Sequence, residues 1–123
     1  YQKNILKTPF FMRRLKQCYH DYAASFSQYD VLLSPVLAHT TPEIGYLDPS
    51  QDFEVMMDKL TRYASFTPLN NASGGPAISL PMGHSEKNLP IGIQFAANHG
   101  DEKTLLELAF ELEAAQPWKR IYS

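Results

Sequence analysis

Ser73-Gly74-Gly75-Pro76-Ala77-Ile78-Ser79-Leu80-Pro81-Met82-Gly83, followed after a polar connection by Leu89-Pro90-Ile91-Gly92-Ile93-Gln94-Phe95-Ala96-Ala97, is the stretch on which the reading of the fold turns. Ile91, Ile93 and Phe95 alternate with Gly92, Gln94 and Ala96. A period of two puts successive side chains on opposite faces of a strand, so residues 91–97 read as one. Residues 77–82 read as its partner. The loop from Gly83 to Pro90 holds Ser85, Glu86, Lys87 and Asn88, and an antiparallel hairpin is the simplest pairing. Gly74-Gly75-Pro76 must break any helix arriving from upstream, because proline has no N–H to donate and glycine leaves the backbone unrestrained.

Working outward, Asp101 caps a last helix near 102–115, with Leu105, Leu108, Ala109 and Leu112 on its core face and Pro117 beyond its end. Upstream, the stretch from Phe66 to Pro76 has room for a short helix. A longer helix spans about 50–64. Asp48 is its expected N-cap and Gln51 its third position, with an apolar stripe of Phe53, Met56, Met57 and Leu60. His39, Thr40, Thr41, Pro42 and Gly45 mark 36–49 as loop. Val31, Leu32 and Leu33 read as a buried strand near 31–35, of the parallel kind, which Pro35 ends or places at an edge. A first helix runs near 9–28, with Thr8 as cap, Pro9 at its first position, and a stripe of Phe11, Leu15, Cys18, Tyr22 and Phe26. The expectation is an α/β chain forming a single unit over 1–123, with no internal repeat.

Composition narrows the function classes. Hydrophobic residues make up 44% of the 123, aromatics 12% and charged residues 20%, which excludes wholesale disorder. A net charge of −2 argues against nucleic acid as a partner. No apolar run approaches the ~20 residues that span a bilayer, so no membrane partner is expected. The lone Cys18 excludes an internal disulfide and a cysteine-based zinc site, and it fits a reducing, cytoplasmic setting. The chain starts at Tyr1 rather than Met and shows no signal-peptide core, which reads as a processed or truncated product. Seven of the 9 prolines lie between Pro35 and Pro90, where strands and rigid connections are expected.

The candidate chemistry is thin. His20, His39, His84 and His99 include no pair at the i, i+4 spacing of a helical metal site, so neither metal nor cofactor is expected. Cys18 sits on an apolar stripe and reads as a small buried hydrophobe. Lys3, Lys7, Arg13, Arg14 and Lys16 read as a solvated helix face, opposite in sign to the acidic last helix. Ser73-Gly74-Gly75 looks like a nucleophile loop, yet it does not match the G-x-S-x-G elbow. A serine nucleophile also needs a base within hydrogen-bond reach, and no His or Lys is locally placed to supply one. It reads instead as a turn in which glycine lets the backbone pass close to a neighbour.

Three stretches together resemble the C-terminal end of the amidase-signature enzymes. They are Phe66-Thr67 with Asn71-Ala72-Ser73-Gly74-Gly75-Pro76-Ala77-Ile78-Ser79-Leu80-Pro81-Met82-Gly83, then Leu89-Pro90-Ile91-Gly92-Ile93-Gln94-Phe95, then Asp101-Glu102 with Leu105-Leu106, Leu112-Glu113 and Pro117-Trp118. Tyr29-Asp30-Val31-Leu32-Leu33-Ser34-Pro35 resembles the strand before them. Phe66-Thr67-Pro68, Asn71-Ala72-Ser73-Gly74 and Gly100-Asp101-Glu102 resemble amidases of the 6-aminohexanoate-cyclic-dimer hydrolase type.

The resemblance implies the C-terminal portion of an α/β/α fold with a mixed sheet. It implies hydrolysis of carboxamides through an acyl-enzyme, by two serines and a lysine base. Those residues belong to the family's N-terminal portion, which this chain lacks, and no catalytic residue is carried over. The fragment alone is therefore expected to be inactive. By resemblance the hairpin completes the central sheet, and the loop from Phe66 to Gly75 borders the substrate channel. Thr67 and Asn71 are the pocket-wall residues this implies; the other reading of Asn71 is that it only satisfies loop backbone groups. The implied partners are a small-molecule amide, the protein's own N-terminal portion, and a second copy through an exposed apolar patch.

Glutamine-using members carry an aspartate two residues before the aromatic of the Phe66-Thr67 motif. That position is Ala64 here, so an uncharged amide is the implied substrate, with Asp58 the other acid within reach of the site. The rival readings are the A component of a glutamyl- or aspartyl-tRNA amidotransferase, which shares this pattern, and a non-catalytic interaction domain.

Overall fold

A computed structural model describes residues 7–118. Its organising element is β3 (Pro90–Ala97), the middle strand of a three-stranded sheet in which β1 (Val31–Pro35) and β2 (Ala77–His84) form the edges. Flanked on both sides, β3 is the strand that buries a continuous run, Gln94 to Ala97. The hairpin forms as the alternation predicts, with Ala77 opposite Ala96, Ile78 opposite Phe95 and Leu80 opposite Ile93. The register shifts between Pro81 and Gly83. Pro81 has no N–H for the ladder, and an extra residue at that point is the usual form of a bulge.

β1 is antiparallel to β3, with Val31 opposite Ala97, Leu33 opposite Phe95 and Pro35 opposite Ile93. This corrects the parallel strand expected from the sequence. The burial expected of this strand is also not met, since Leu32 and Leu33 of this edge strand are 44% and 61% exposed; a short apolar run fixes neither burial nor direction, and direction follows from which strand it pairs with. All neighbouring strands among the described residues are therefore antiparallel, and the mixed sheet implied by resemblance is not seen among them. Pro35 does stand at the end of an edge strand, where its missing donor costs least.

Among the described residues the helices are α1 (Thr8–Ser25), α2 (Phe53–Tyr63), α3 (Pro68–Ser73) and α4 (Glu102–Ala115). α4 lies as its stripe predicts. Leu105 joins Leu80, Phe95 and Ala97 in the core, while Leu108, Ala109, Leu112 and Trp118 pack at its margin. Each large apolar side chain taken out of water there contributes about 1.5–3 kcal/mol. α1 behaves differently. Only Tyr22 of its stripe is buried, and Phe11 and Leu15 remain 60% and 48% exposed. Cys18 is half-buried. Of the basic residues expected on one solvated face, Lys7, Arg13, Arg14 and Lys16 are exposed, and Lys3 lies outside the described residues.

The caps correct three expectations. Lys7, not Thr8, is the N-cap residue of α1, and Thr8 is already helical. α1 ends at Ser25, where the Ser25 hydroxyl donates to the Tyr22 carbonyl at 2.6 Å, short of the expected residue 28. α2 starts at Phe53, and its N-cap is Asp52, whose carboxylate accepts from the N–H groups of Glu54 and Val55 at 3.0 and 3.3 Å. Asp48 instead accepts from the Ser50 N–H at 2.8 Å, closing a local turn. Gln51 then serves the loop rather than the helix, donating to the carbonyls of Gly45, Tyr46 and Asp48. The short helix in the 66–76 stretch exists as α3, and Gly74 ends it at φ 76°, a left-handed conformation that glycine adopts freely.

Apolar side chains are exposed on several elements, among them Phe10, Phe11 and Met12 of α1, Leu33 of β1 and Phe110 of α4.

The Asp52 cap gives a local prediction. Asp52→Ala removes about 1 kcal/mol from the first turn of α2, so amide hydrogen exchange at 54–56 should quicken roughly fivefold. Asp48→Ala should leave those amides unchanged.

Candidate functional site

The segment from Thr67 to Pro76 joins α2 to the sheet, and its conformation rests on one small polar cluster. Tyr22 enters from α1 and is 4% exposed. Its hydroxyl donates to the Ala97 carbonyl at the end of β3, 2.8 Å away. The Asn70 amide nitrogen lies 3.2 Å from the same hydroxyl, 3.3 Å from the Gly75 carbonyl and 3.4 Å from that of Pro76. Gln94, in the buried run of β3, donates to Asn70 Oδ1 at 2.9 Å. Side chains and backbone of α1, α3 and β3 are thus tied together across one buried cluster, and among the described residues no buried side-chain nitrogen or oxygen lacks a partner. A satisfied network of this kind stabilises; a half-satisfied one would cost several kcal/mol.

The neighbouring glycine is required by the same packing. A β-carbon at Gly75 would fall within the Tyr22 ring. The reading of Ser73-Gly74-Gly75 as a close-approach turn is therefore what the structure shows. Ser73 is buried, and its hydroxyl accepts from the Gly75 N–H at 3.3 Å with a long contact of 3.5 Å to the Asn70 carbonyl. A histidine does reach Ser73: His99 Nε2 lies 2.8 Å from the Ser73 carbonyl oxygen. A carbonyl only accepts, so that ring nitrogen carries the proton and His99 is a donor to backbone, not a base for the hydroxyl. His99 also stacks on Tyr19 with ring centres 3.9 Å apart.

Burial pushes the Tyr22 phenol above its ordinary pKa of 10.0, and the hydrogen bond from Asn70 works in the opposite direction. The neutral phenol is the form that fits between a carbonyl and an amide.

Thr67 and Asn71 flank this anchor in sequence, three residues before Asn70 and one after it. Thr67 is half-buried at the start of α3 and makes no capping bond. Asn71 is exposed, and the task of satisfying loop carbonyls falls to Asn70. The two are four positions apart, which puts them on one face of the helix. Ala64 is half-buried and closes α2 through its N–H to the Leu60 carbonyl. Asp58 is on the surface and paired with Arg62 at 3.0 Å.

A separate cavity of about 270 Å³ opens beside the end of β1, between Pro35, Val36, His39 and Ile91, Gly92. His39 packs there on Tyr63 and Tyr46, at 4.7 and 5.6 Å between ring centres. Among the described residues no group of His, Cys, Asp or Glu is gathered closely enough to hold a metal ion. No described helix is long and apolar enough to cross a membrane.

The polar partnership of Asn70, Tyr22 and Gln94 was missed by sequence reasoning. One signal could have found Gln94: an amide inside the run Ile93-Gln94-Phe95-Ala96 must have a partner if the strand is buried.

The fold and these motifs match known proteins. The family described as Amidase matches residues 2–106, and the chain belongs to that family. It is 48% identical over 119 residues to a protein named "Putative amidase AmiC" from Mycobacterium leprae (strain TN), a match covering 97% of this chain and 25% of that protein. It superposes on the structure of a 6-aminohexanoate cyclic dimer hydrolase complexed with substrate with a TM-score of 0.73 and 35% identity, over 85% of this chain and 23% of that one. It is also 42% identical over 96 residues to the 6-aminohexanoate-cyclic-dimer hydrolase of Pseudomonas sp. (strain NK87), across 73% of this chain and 20% of that protein. The glutamyl-tRNA(Gln) amidotransferases contribute a more distant relative, 40% identical over 96 residues, of which the match covers 18%. The chain spans about a quarter of the length of the AmiC relative.

Two outcomes follow from the cluster. Because the phenol's pKa is raised on folding, the folded state holds its proton to higher pH than the unfolded state does. That contribution is full below about pH 10 and is lost as pH climbs through the folded value. Urea unfolding should show wild type losing stability above about pH 10 more steeply than Tyr22→Phe, which has no phenol to ionise. Gly75→Ala should destabilise by roughly 1–3 kcal/mol or more, and the same substitution should cost much less in a Tyr22→Ala background, as a double-mutant cycle would read.

Proposed function

We propose that the protein carrying this chain is an amidase that cleaves carboxamide C–N bonds through a serine acyl-enzyme, and that the serine–serine–lysine set lies outside these residues in an N-terminal portion. The observation that carries this reading is the family match along almost the whole chain, together with the superposition on a solved amide hydrolase. In such a reaction a neutral lysine takes the nucleophile's proton by way of the second serine and later protonates the departing amine. Backbone N–H groups of the family's glycine-rich loop hold the oxyanion. This chain supplies strands and one wall of the substrate channel, with Thr67 and Asn71 facing the substrate. Its exposed apolar side chains on α1 and β1 offer packing surface to the N-terminal portion or to a second copy. A free thiol at Cys18 suits a cytoplasmic setting.

The substrate is an uncharged amide. A carboxylate facing an α-ammonium would form a charge-assisted hydrogen bond roughly twice as strong as a neutral one, and Ala64 offers none. Asp58 does not replace it, because its carboxylate is exposed and engaged by Arg62. The tRNA amidotransferase component is a relative within the same family, and no observation on this chain favours it over an amidase.

The isolated chain should hydrolyse no aryl or alkyl amide; turnover that disappears in Ser73→Ala would refute the turn assignment. The intact protein should show a kcat/KM for hexanamide or benzamide at least tenfold above that for glutamine, a margin of about 1.4 kcal/mol. A tenfold preference for glutamine would overturn the argument from Ala64.

A further inference from the structure

α3 is six residues long, too short to hold its own orientation. Gly74 fixes where it ends, but a left-handed cap does not fix how the helix is turned about its axis. Asn70 does. Its amide nitrogen meets the Tyr22 hydroxyl of α1 and the Gly75 and Pro76 carbonyls, and its Oδ1 takes the Gln94 N–H of β3. Three directions of constraint converge on one side chain. Successive helical residues are about 100° apart, so pinning Asn70 inward sends Asn71 to the exposed side, and Thr67, the N-cap residue, falls between the two and is half-buried.

We propose that Asn70, clamped between Tyr22 and Gln94, is a positioning residue that turns the Thr67–Asn71 face of α3 toward the substrate. This rests on the reading of Thr67 and Asn71 as pocket wall and adds the device that aims them. The plainer alternative is that Asn70 only satisfies the two loop carbonyls. The two differ in what they predict. A carbonyl-satisfying role changes stability alone, whereas an aiming role also raises KM, because wall contacts made equally in the ground and transition states set KM and not kcat.

The test uses the intact protein and whichever of hexanamide, benzamide and 6-aminohexanoate cyclic dimer it turns over fastest. Asn70→Ala should raise KM about tenfold while kcat changes less than threefold. Tyr22→Phe should raise KM severalfold, and the double variant should be no worse than Asn70→Ala alone, since both remove one unit. Leu105→Ala, a core change remote from α3, should lower Tm without moving KM. Hydrogen exchange over 67–76 should quicken in Asn70→Ala while exchange in the hairpin stays as in wild type.

If Asn70→Ala lowers Tm and leaves KM unchanged, the proposal is wrong and the residue is structural. If Asn70→Ala raises KM but Thr67→Val and Asn71→Ala do not, the anchor does not act through that face, which also overturns it. If none of the three amides is turned over, the amidase reading fails on its own account. In that case the exchange data still decide the anchor: unaltered exchange over 67–76 refutes it.

Discussion

Everything near the candidate site depends on the contact between the Tyr22 ring and the backbone at Gly75. The approach leaves no room for a β-carbon at that position. It also brings the phenol hydroxyl to the Ala97 carbonyl and within reach of Asn70. A helix otherwise poorly attached to the sheet is thereby held at one end, and the loop carrying α3 is held with it. The contact is possible only because residue 75 is glycine, and it is useful only because residue 22 is an aromatic with a polar tip.

The rest of the molecule is organised in two unequal halves. One face of the sheet is closed by α4 and has the properties of a core: Phe95, Ala97, Leu80 and Leu105 are buried together. The other elements, α1 above all, leave large apolar side chains open to solvent. α4 has open apolar surface of its own on its outer side, where Leu106 and Phe110 are 52% and 70% exposed. The α4 side holds the sheet together, and the α1–α3 side presents the residues proposed to meet substrate.

Much of this was legible in the residue order. The alternation in 91–97, the α4 stripe and the helix-breaking Gly74-Gly75-Pro76 each depend on chemistry within a few residues, and each appears where the pattern puts it. The caps of α2 were not legible. Asp48 and Asp52 are both good caps by type, and the choice between them went to Asp52 because Asp48 accepts from Ser50. The same ambiguity separated Asn70 from Asn71. Both are asparagines in the one short helix α3, and the Tyr22 hydroxyl, 48 residues away in sequence, meets Asn70 and not Asn71.

The amino-acid sequence by itself determined the kinds of element, the location of the glycine turn and the family, because periodicity, proline and glycine chemistry and motif order are local properties. The tertiary structure alone decided that β1 runs antiparallel to β3, that His99 donates to the Ser73 carbonyl and not to its hydroxyl, and that Asn70 is the anchor. Each of those depends on groups brought together from distant parts of the chain, and hydrogen-bond geometry between such groups exists only once packing has placed them.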